Sequence, residues 1–202
     1  MKVAILTLEG FNELDSFIAS AILNRAPDSK ALICCPSASV TSMNGVQVTA
    51  QAPLDFAEEA DAVLVGSGMK TRDYAADGDF LARLRLDPVR QLIGAQCSGA
   101  LILHRLGLTG AMVASDSMTT PVLREAGLEV STAPMHVEGN VATAGGCLAS
   151  HYLAAWMIAR QAGWPVAAEI IHYVAPVGQK DAYTRRAAEV VEPLLLAGQA
   201  AD

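Results

Sequence analysis

Four cysteines and four histidines stand out among the residues of this 202-residue chain that could do chemistry. Their neighbours separate them. Cys97 lies in Gly94-Ala95-Gln96-Cys97-Ser98-Gly99-Ala100, where a short apolar run changes to a helical period. Small residues around a cysteine at such a change are the layout of a nucleophile elbow, in which the nucleophile takes a strained backbone conformation and its neighbours must leave room. A helix starting just after Cys97 turns its positive end toward the sulfur, which lowers a thiol pKa and raises the thiolate fraction. The chemistry implied is nucleophilic attack by sulfur. Cys34 and Cys35 are adjacent, a poor geometry for a mutual bridge, and end an apolar run as small hydrophobes. Cys147, after Gly145-Gly146, is read with them as structural, although that turn could bring it toward the site. There is no CxxC, and no His/Cys spacing suits zinc, so free thiols in a reducing cytosol and no metal are expected. His104, His136, His151 and His172 read as packing or surface residues, and no Cys–His pair follows from their positions. No G-x-G-x-x-G followed by an acid is present, so no cofactor is expected.

The elements that must position Cys97 follow from hydrophobic period. Near-continuous apolar runs at residues 3–8, 31–35, 62–65 and 92–95 read as strands buried on both faces, as in a parallel sheet. Helical spacing begins at Glu13, with Leu14, Phe17, Ile18, Ala21 and Ile22 as its apolar face and Asn12 as cap. Helices are also expected over 79–90, with a break near Pro88, over 98–106, from a Thr120 cap with Pro121 in the first turn, over 147–161 and from Pro165. A short strand is expected over 111–114. Two hairpins are expected, one at Asn44-Gly45 between 40–43 and 46–48, the other at Gly139-Asn140 between 135–138 and 141–144. Strands alternating with helices predict an α/β doubly wound, mostly parallel sheet flanked by helices, the flavodoxin-like three-layer arrangement, with small β-hairpins. The chain reads as one domain over 1–202, with fraying expected in its last ten residues.

Composition narrows the function classes. Apolar residues are 52% and charged residues 17%, which excludes a disordered chain, a coiled coil and a collagen-like repeat. The net charge of −7, with no basic block, argues against nucleic acid and anionic membrane surfaces as partners. No run approaches 18 apolar residues, and the N-terminal MKVAILTLEG reads as a strand rather than a signal peptide, so a cytoplasmic location is expected.

Four ordered segments give the chain a family resemblance. They are Glu9-Gly10-Phe11-Asn12-Glu13-Leu14-Asp15 after the first strand, Gly66-Ser67-Gly68 after a buried strand, the Ala95-Gln96-Cys97-Ser98-Gly99 elbow, and Glu138-Gly139-Asn140-Val141-Ala142-Thr143-Ala144-Gly145-Gly146. Over Lys2 to about Tyr173 the chain resembles the ThiJ/PfpI superfamily, relatives of the class I glutamine amidotransferase domain. Within it the chain is most similar to the isocyanide hydratase branch, which has Asp at the position of Asp15, Cys at Cys97, and Thr or Ser at Ser98. The resemblance implies Cys97 as nucleophile and Asp15 as general acid and base. It implies backbone N–H groups of Gly66, Ser67, Gly68 and Ser98 as a cradle for charge building on the substrate. The family more often has Pro-Gly-Gly where this chain has Gly-Ser-Gly. Several branches carry His directly after the Cys, where this chain has Ser98. The hydratase branch carries Thr-His-Trp where Ser115-Asp116-Ser117 aligns.

Asp15 read by itself is a helix-N-terminal acid facing the dipole. In a doubly wound sheet, however, its loop, the Gly66 turn and the Cys97 elbow all lie at carboxyl ends of strands, where ligand crevices form. An acid beside a thiolate shares one proton with it, and a protonated Asp15 would donate to the sulfur and then act as general acid. The function expected is a cysteine-dependent small-molecule enzyme, a hydro-lyase or hydrolase, isocyanide-hydratase-like in the first reading. The alternatives are a glyoxalase- or amidase-type hydrolase on the same site and a non-catalytic redox sensor built on Cys97. The missing histidine disfavours protease and amidotransferase chemistry. A small molecule and a second copy of the chain, as a homodimer, are the expected partners.

Overall fold

The computed structural model describes residues 1–197. The chain runs β1 (Lys2–Leu6), α1 (Glu13–Leu23), β2 (Lys30–Cys35), β3 (Ser39–Thr41), β4 (Gln47–Thr49), β5 (Ala52–Pro53), α2 (Phe56–Glu59), β6 (Ala62–Val65), α3 (Thr71–Ala76) and α4 (Gly78–Ala82). It continues through β7 (Leu92–Gln96), α5 (Gly99–Arg105), β8 (Met112–Val113), α6 (Thr120–Glu125), β9 (Glu129–Val130), β10 (Met135–Glu138) and β11 (Val141–Ala144). A 3₁₀ turn (Cys147–Ala149) then leads into α7 (Ser150–Ala162), α8 (Trp164–Val174) and α9 (Lys180–Ala197).

Seven strands form one sheet in the order β10-β11-β7-β6-β1-β2-β5. Every neighbouring pair is parallel except β10 with β11. The expected α/β doubly wound sheet is present, and the period of two divides its central strands between two cores. Val3, Ile5, Ala62 and Leu64 face the layer holding α1, α7, α8 and α9. Ala4, Leu6, Val63, Val65, Ile93 and Ala95 face the layer holding α2, α5 and α6. Burial on both faces is why these strands read as unbroken apolar runs. Among the described residues no helix is long and apolar enough to cross a membrane.

Several elements depart from the sequence reading. The helix expected over 79–90 ends at Ala82. Pro88 disfavours helix in the residue before it, and side-chain bonds replace helical ones there: Asp87 N–H donates to Gln91 Oε1 and Val89 N–H to Asp87 Oδ1. The Asn44-Gly45 hairpin has a five-residue loop, since Thr41 pairs with Gln47. Ser42 Oγ accepts from Asn44 N–H and Val46 N–H and holds the wider loop closed. Thr120 is the first helical residue of α6 rather than its cap, which is Thr119; Asp116 holds the turn leading into the helix, accepting from Met118 N–H, Thr119 N–H and Thr119 Oγ1. α1 buries Asp15, Ser16, Ala19, Ile22 and Leu23, whereas Leu14 and Phe17 of its apolar stripe are 44% and 39% exposed. The first half of the tail expected to fray, residues 193–197, extends α9; residues 198–202 lie outside the described part.

Candidate active site

Cys97 occupies the one-residue step between β7 and the entry to α5. Its φ is +49°, the left-handed region in which a non-glycine residue carries strain of about 1–3 kcal/mol. The surroundings hold that geometry. Cys97 N–H donates to Ala144 O at 2.8 Å, and Ser115 Oγ donates to Cys97 O at 2.9 Å. Gly99 is required for close approach, because a Cβ there would sit 2.6 Å from Val65 O. These are the features expected of a nucleophile elbow, and the side chain they present is 3% exposed.

Asp15 arrives from the first turn of α1. Asn12 fixes that turn, its Oδ1 accepting from Leu14 N–H and its own N–H donating to Ser67 O. The Asp15 side chain is fully buried. Ser67 N–H donates to Oδ2 at 3.0 Å, while Oδ1 has no hydrogen-bond partner among the described residues. Burial pushes the carboxyl up to about 6, against the opposing bonds from Ser67. An Asp15 carboxylate oxygen, Cys97 Sγ and Cys147 Sγ all lie within 4.8 Å of one another. Two sulfurs and a carboxylate oxygen at that spacing could also hold a thiophilic ion.

Charge in this cluster runs against the expectation of a lowered thiol pKa. Burial first, then the Asp15 and Asp116 carboxylates, push the Cys97 thiol well up, and the Gly146 backbone N–H only partly opposes them. Burial thus pushes both the Asp15 carboxyl and the Cys97 thiol toward their protonated forms, and the two compete for one shared proton.

The glycine turn is also put to a different use. Gly66 N–H donates to Leu6 O at 3.1 Å and Ser67 N–H holds Asp15, so neither points at substrate. The turn positions the acid. The Gly68 and Ser98 N–H groups have no acceptor among the described residues and are the donors left for a developing charge.

Cys147 corrects the sequence reading most. Expected to be structural like Cys34 and Cys35, it is instead half-buried beside Cys97 and accepts from Asn12 Nδ2 at 3.1 Å. β11 runs beside β7, with Ala144 opposite Gln96, so the Gly145-Gly146 turn and the elbow leave the sheet at the same end. Gln96 Nε2 ties the two, donating to Gly146 O at 2.7 Å and lying 3.6 Å from Cys97 Sγ. The available signal was a glycine pair directly after a buried strand. The histidines stay apart from Cys97 and Asp15: His104 contacts Thr109, His172 contacts Asp181, His136 lies in β10, and His151 bonds Leu148 O on the outer side of the 3₁₀ turn.

Comparison with known proteins agrees with this architecture. The profile of the DJ-1/PfpI family matches residues 1–160. A THiJ/PfpI family protein from Pseudomonas syringae superposes with TM-score 0.76 at 21% identity, covering 98% of this chain and 90% of that one. Oxidized Toxoplasma gondii DJ-1 superposes with TM-score 0.73 at 19% identity, covering 86% and 97%. A DJ-1 superfamily protein from Salmonella typhimurium, solved as a cysteine-to-alanine mutant, gives 0.71 at 25% identity over 87% and 98%. No curated protein matches the sequence.

Proposed function

The chain belongs to the DJ-1/PfpI family, and from that premise we propose that it is a cysteine-dependent enzyme hydrating a small electrophile, an isocyanide in the reading that best fits its acid. The observation that carries the proposal is the buried Asp15 with an unpartnered Oδ1 in the same cluster as Cys97 Sγ. One group that can take, hold and return a proton is what isocyanide hydration requires, and no histidine is needed.

In this reading Asp15 takes the Cys97 proton as sulfur attacks the terminal isocyanide carbon. Asp15 then returns the proton to that carbon, giving a thioimidate bound to Cys97. Water adds to the thioimidate carbon with Asp15 as base, the C–S bond breaks, and the nitrogen takes up a proton. An N-substituted formamide leaves and the thiol is restored. The free Ser98 and Gly68 N–H groups are the donors available to the charge that forms. Two copies of the chain are taken as the working unit.

The test is formamide production from an alkyl and an aryl isocyanide, followed by NMR, with methylglyoxal and a simple amide run in parallel. Formamide from the native chain, with none above background from Cys97→Ala and at least about a hundredfold less from Asp15→Asn, supports the proposal. Turnover of methylglyoxal or the amide alone, or full isocyanide activity in Cys97→Ala, overturns it.

A further inference from the structure

The catalytic reading leaves Cys147 without a task. Its sulfur lies within 4.8 Å of Cys97 Sγ and within the same distance of an Asp15 carboxylate oxygen. A disulfide requires the sulfurs to close to about 2.05 Å, so the pair must approach by no more than about 3 Å. The chain is built to allow this on one side only. Cys97 is locked between β7 and α5 by its backbone bonds and by the tight contact at Gly99. Cys147 follows Gly146, which has φ +85° and open space where a Cβ would be, and it is the first residue of the 3₁₀ turn that leads into α7.

We propose that Cys147 is a resolving cysteine, and that this chain reduces hydroperoxides through a reversible Cys97–Cys147 disulfide. Asp15 takes the Cys97 proton, the thiolate attacks the outer peroxide oxygen, and the O–O bond breaks. The departing alkoxide takes the proton from Asp15 and leaves as an alcohol, or as water when the oxidant is hydrogen peroxide, and Cys97 becomes a sulfenic acid. Cys147 sulfur then attacks the sulfenic sulfur. The S–O bond breaks, and the hydroxide leaves as water with the Cys147 proton. The sum is two thiols and one hydroperoxide giving one disulfide, one alcohol and one water. A small dithiol reopens the bridge by exchange and leaves as its own disulfide.

The Asn12 Nδ2–H directed at Cys147 Sγ meets the negative charge that builds on that sulfur as it gives up its proton. Its partial exposure gives the reductant access that the 3% exposed Cys97 lacks. Cys34 and Cys35 serve as internal references. Both are buried, burial pushes their thiols up to about 12 and about 11, and neither belongs to the cluster. A resolving thiol also has a protective effect: it captures the sulfenic acid before a second oxidant converts it to the sulfinic acid, which thiols do not reverse.

The experiment treats the reduced, metal-free chain with one equivalent of hydrogen peroxide and blocks remaining thiols by alkylation. Trypsin cuts at Arg105 and Arg124, so Cys97 and Cys147 leave in separate peptides unless bridged. The expected result is one cross-linked peptide pair, a fall from four free thiols to two with Cys34 and Cys35 alkylated, and full recovery with dithiothreitol. In Cys147→Ser, dimedone should trap Cys97 as sulfenic acid, and further peroxide should drive it to the sulfinic form at least tenfold faster than in the native chain. Sulfinic Cys97 accumulating in the native chain with Cys147 still alkylated, at the rate seen in Cys147→Ser, overturns the proposal. The native-chain readout needs no variant to fold. Isocyanide turnover is no part of it, so failure of the hydratase reading and failure of this one are separate results.

Discussion

At Asp15 function and stability pull in opposite directions. Folding raises its carboxyl from the ordinary 3.8 to about 6, chiefly by burial. A group with a raised folded pKa contributes stability that is fully present below the unfolded value, near pH 4, and is lost as pH rises through 6. At neutral pH the chain therefore keeps a buried carboxylate at a cost of about 1–3 kcal/mol. Asp15→Asn should raise the neutral-pH melting temperature by a few degrees, with the advantage shrinking toward pH 4 in calorimetry across that range. The same substitution should lower kcat/KM by about 10²–10⁴, the usual weight of a positioned proton carrier. In the native enzyme kcat/KM should rise through pH about 6 as Asp15 ionises. Asp15→Asn should lose that limb, and Asp116→Asn, by removing a charge that raises Asp15, should move it to lower pH. A flat native profile between pH 5 and 8 would show that Asp15 does not set the rate. Cys97 was legible because its neighbours are small for a local reason, whereas Asp15, by itself a helix-N-terminal acid, was legible only through the family resemblance. Cys147 and Gln96 were not, because Gln96 bonds the carbonyl of Gly146, fifty residues away, across the β7–β11 pairing.

The elements obey their periods except where the site breaks them. β1, β6 and β7 were readable because burial on both faces leaves no polar residue to blur the run. α1 keeps Ile18 and Ile22 of its expected apolar stripe against the core, but Asp15 and Ser16 are buried for the site, Ser16 Oγ sharing a 2.9 Å hydrogen bond with Thr7 Oγ1, and Leu14 and Phe17 stand outward. α9 was not read at all, its Arg- and Glu-rich exposed faces hiding the buried Ala187 and Val191. Two substitutions at the ends of β7 separate its roles. In Gly99→Ala the new methyl meets Val65 O at 2.6 Å and Gly66 O at 3.0 Å, so α5 must lift from β6. Stability should fall by about 1–3 kcal/mol, and kcat should fall with it because the elbow moves. Gln91, before the other end of β7, clamps α2 by donating to Ala57 O and Ala60 O, and accepts from Asp87 N–H. Gln91→Ala should cost a similar 1–3 kcal/mol in urea unfolding while leaving kcat at the native value. If the Gln91 variant lost kcat in proportion to stability, the elbow would not be an independently rigid unit.

At the scale of the molecule the remaining question is what covers the apolar face left by α1. Leu14 and Phe17 stand outward, Leu148 of the neighbouring 3₁₀ turn is 67% exposed, and beside them opens an apolar groove of about 990 Å³ walled by Ile18, Leu148, Tyr152, Val174 and Tyr183. Contiguous apolar surface of this kind marks an interaction site rather than an ordinary solvated face. A formal charge of −7 on each chain means that two copies repel at long range, so a stable pair must be held by apolar area. That is the composition of this face. Light scattering behind size exclusion should give twice the 21.1 kDa of one chain, and Leu148→Asp or Phe17→Asp should bring it to the single-chain value with the circular dichroism spectrum unchanged. A native mass of one chain at every concentration would remove the second copy from the proposal. Asp15 and Cys147 sit on the same two elements, α1 and the 3₁₀ turn, as the exposed apolar residues. A second copy seated there would therefore brace the acid and the second thiol, and the single-chain variants should lose activity while keeping Cys97, β7 and the elbow intact.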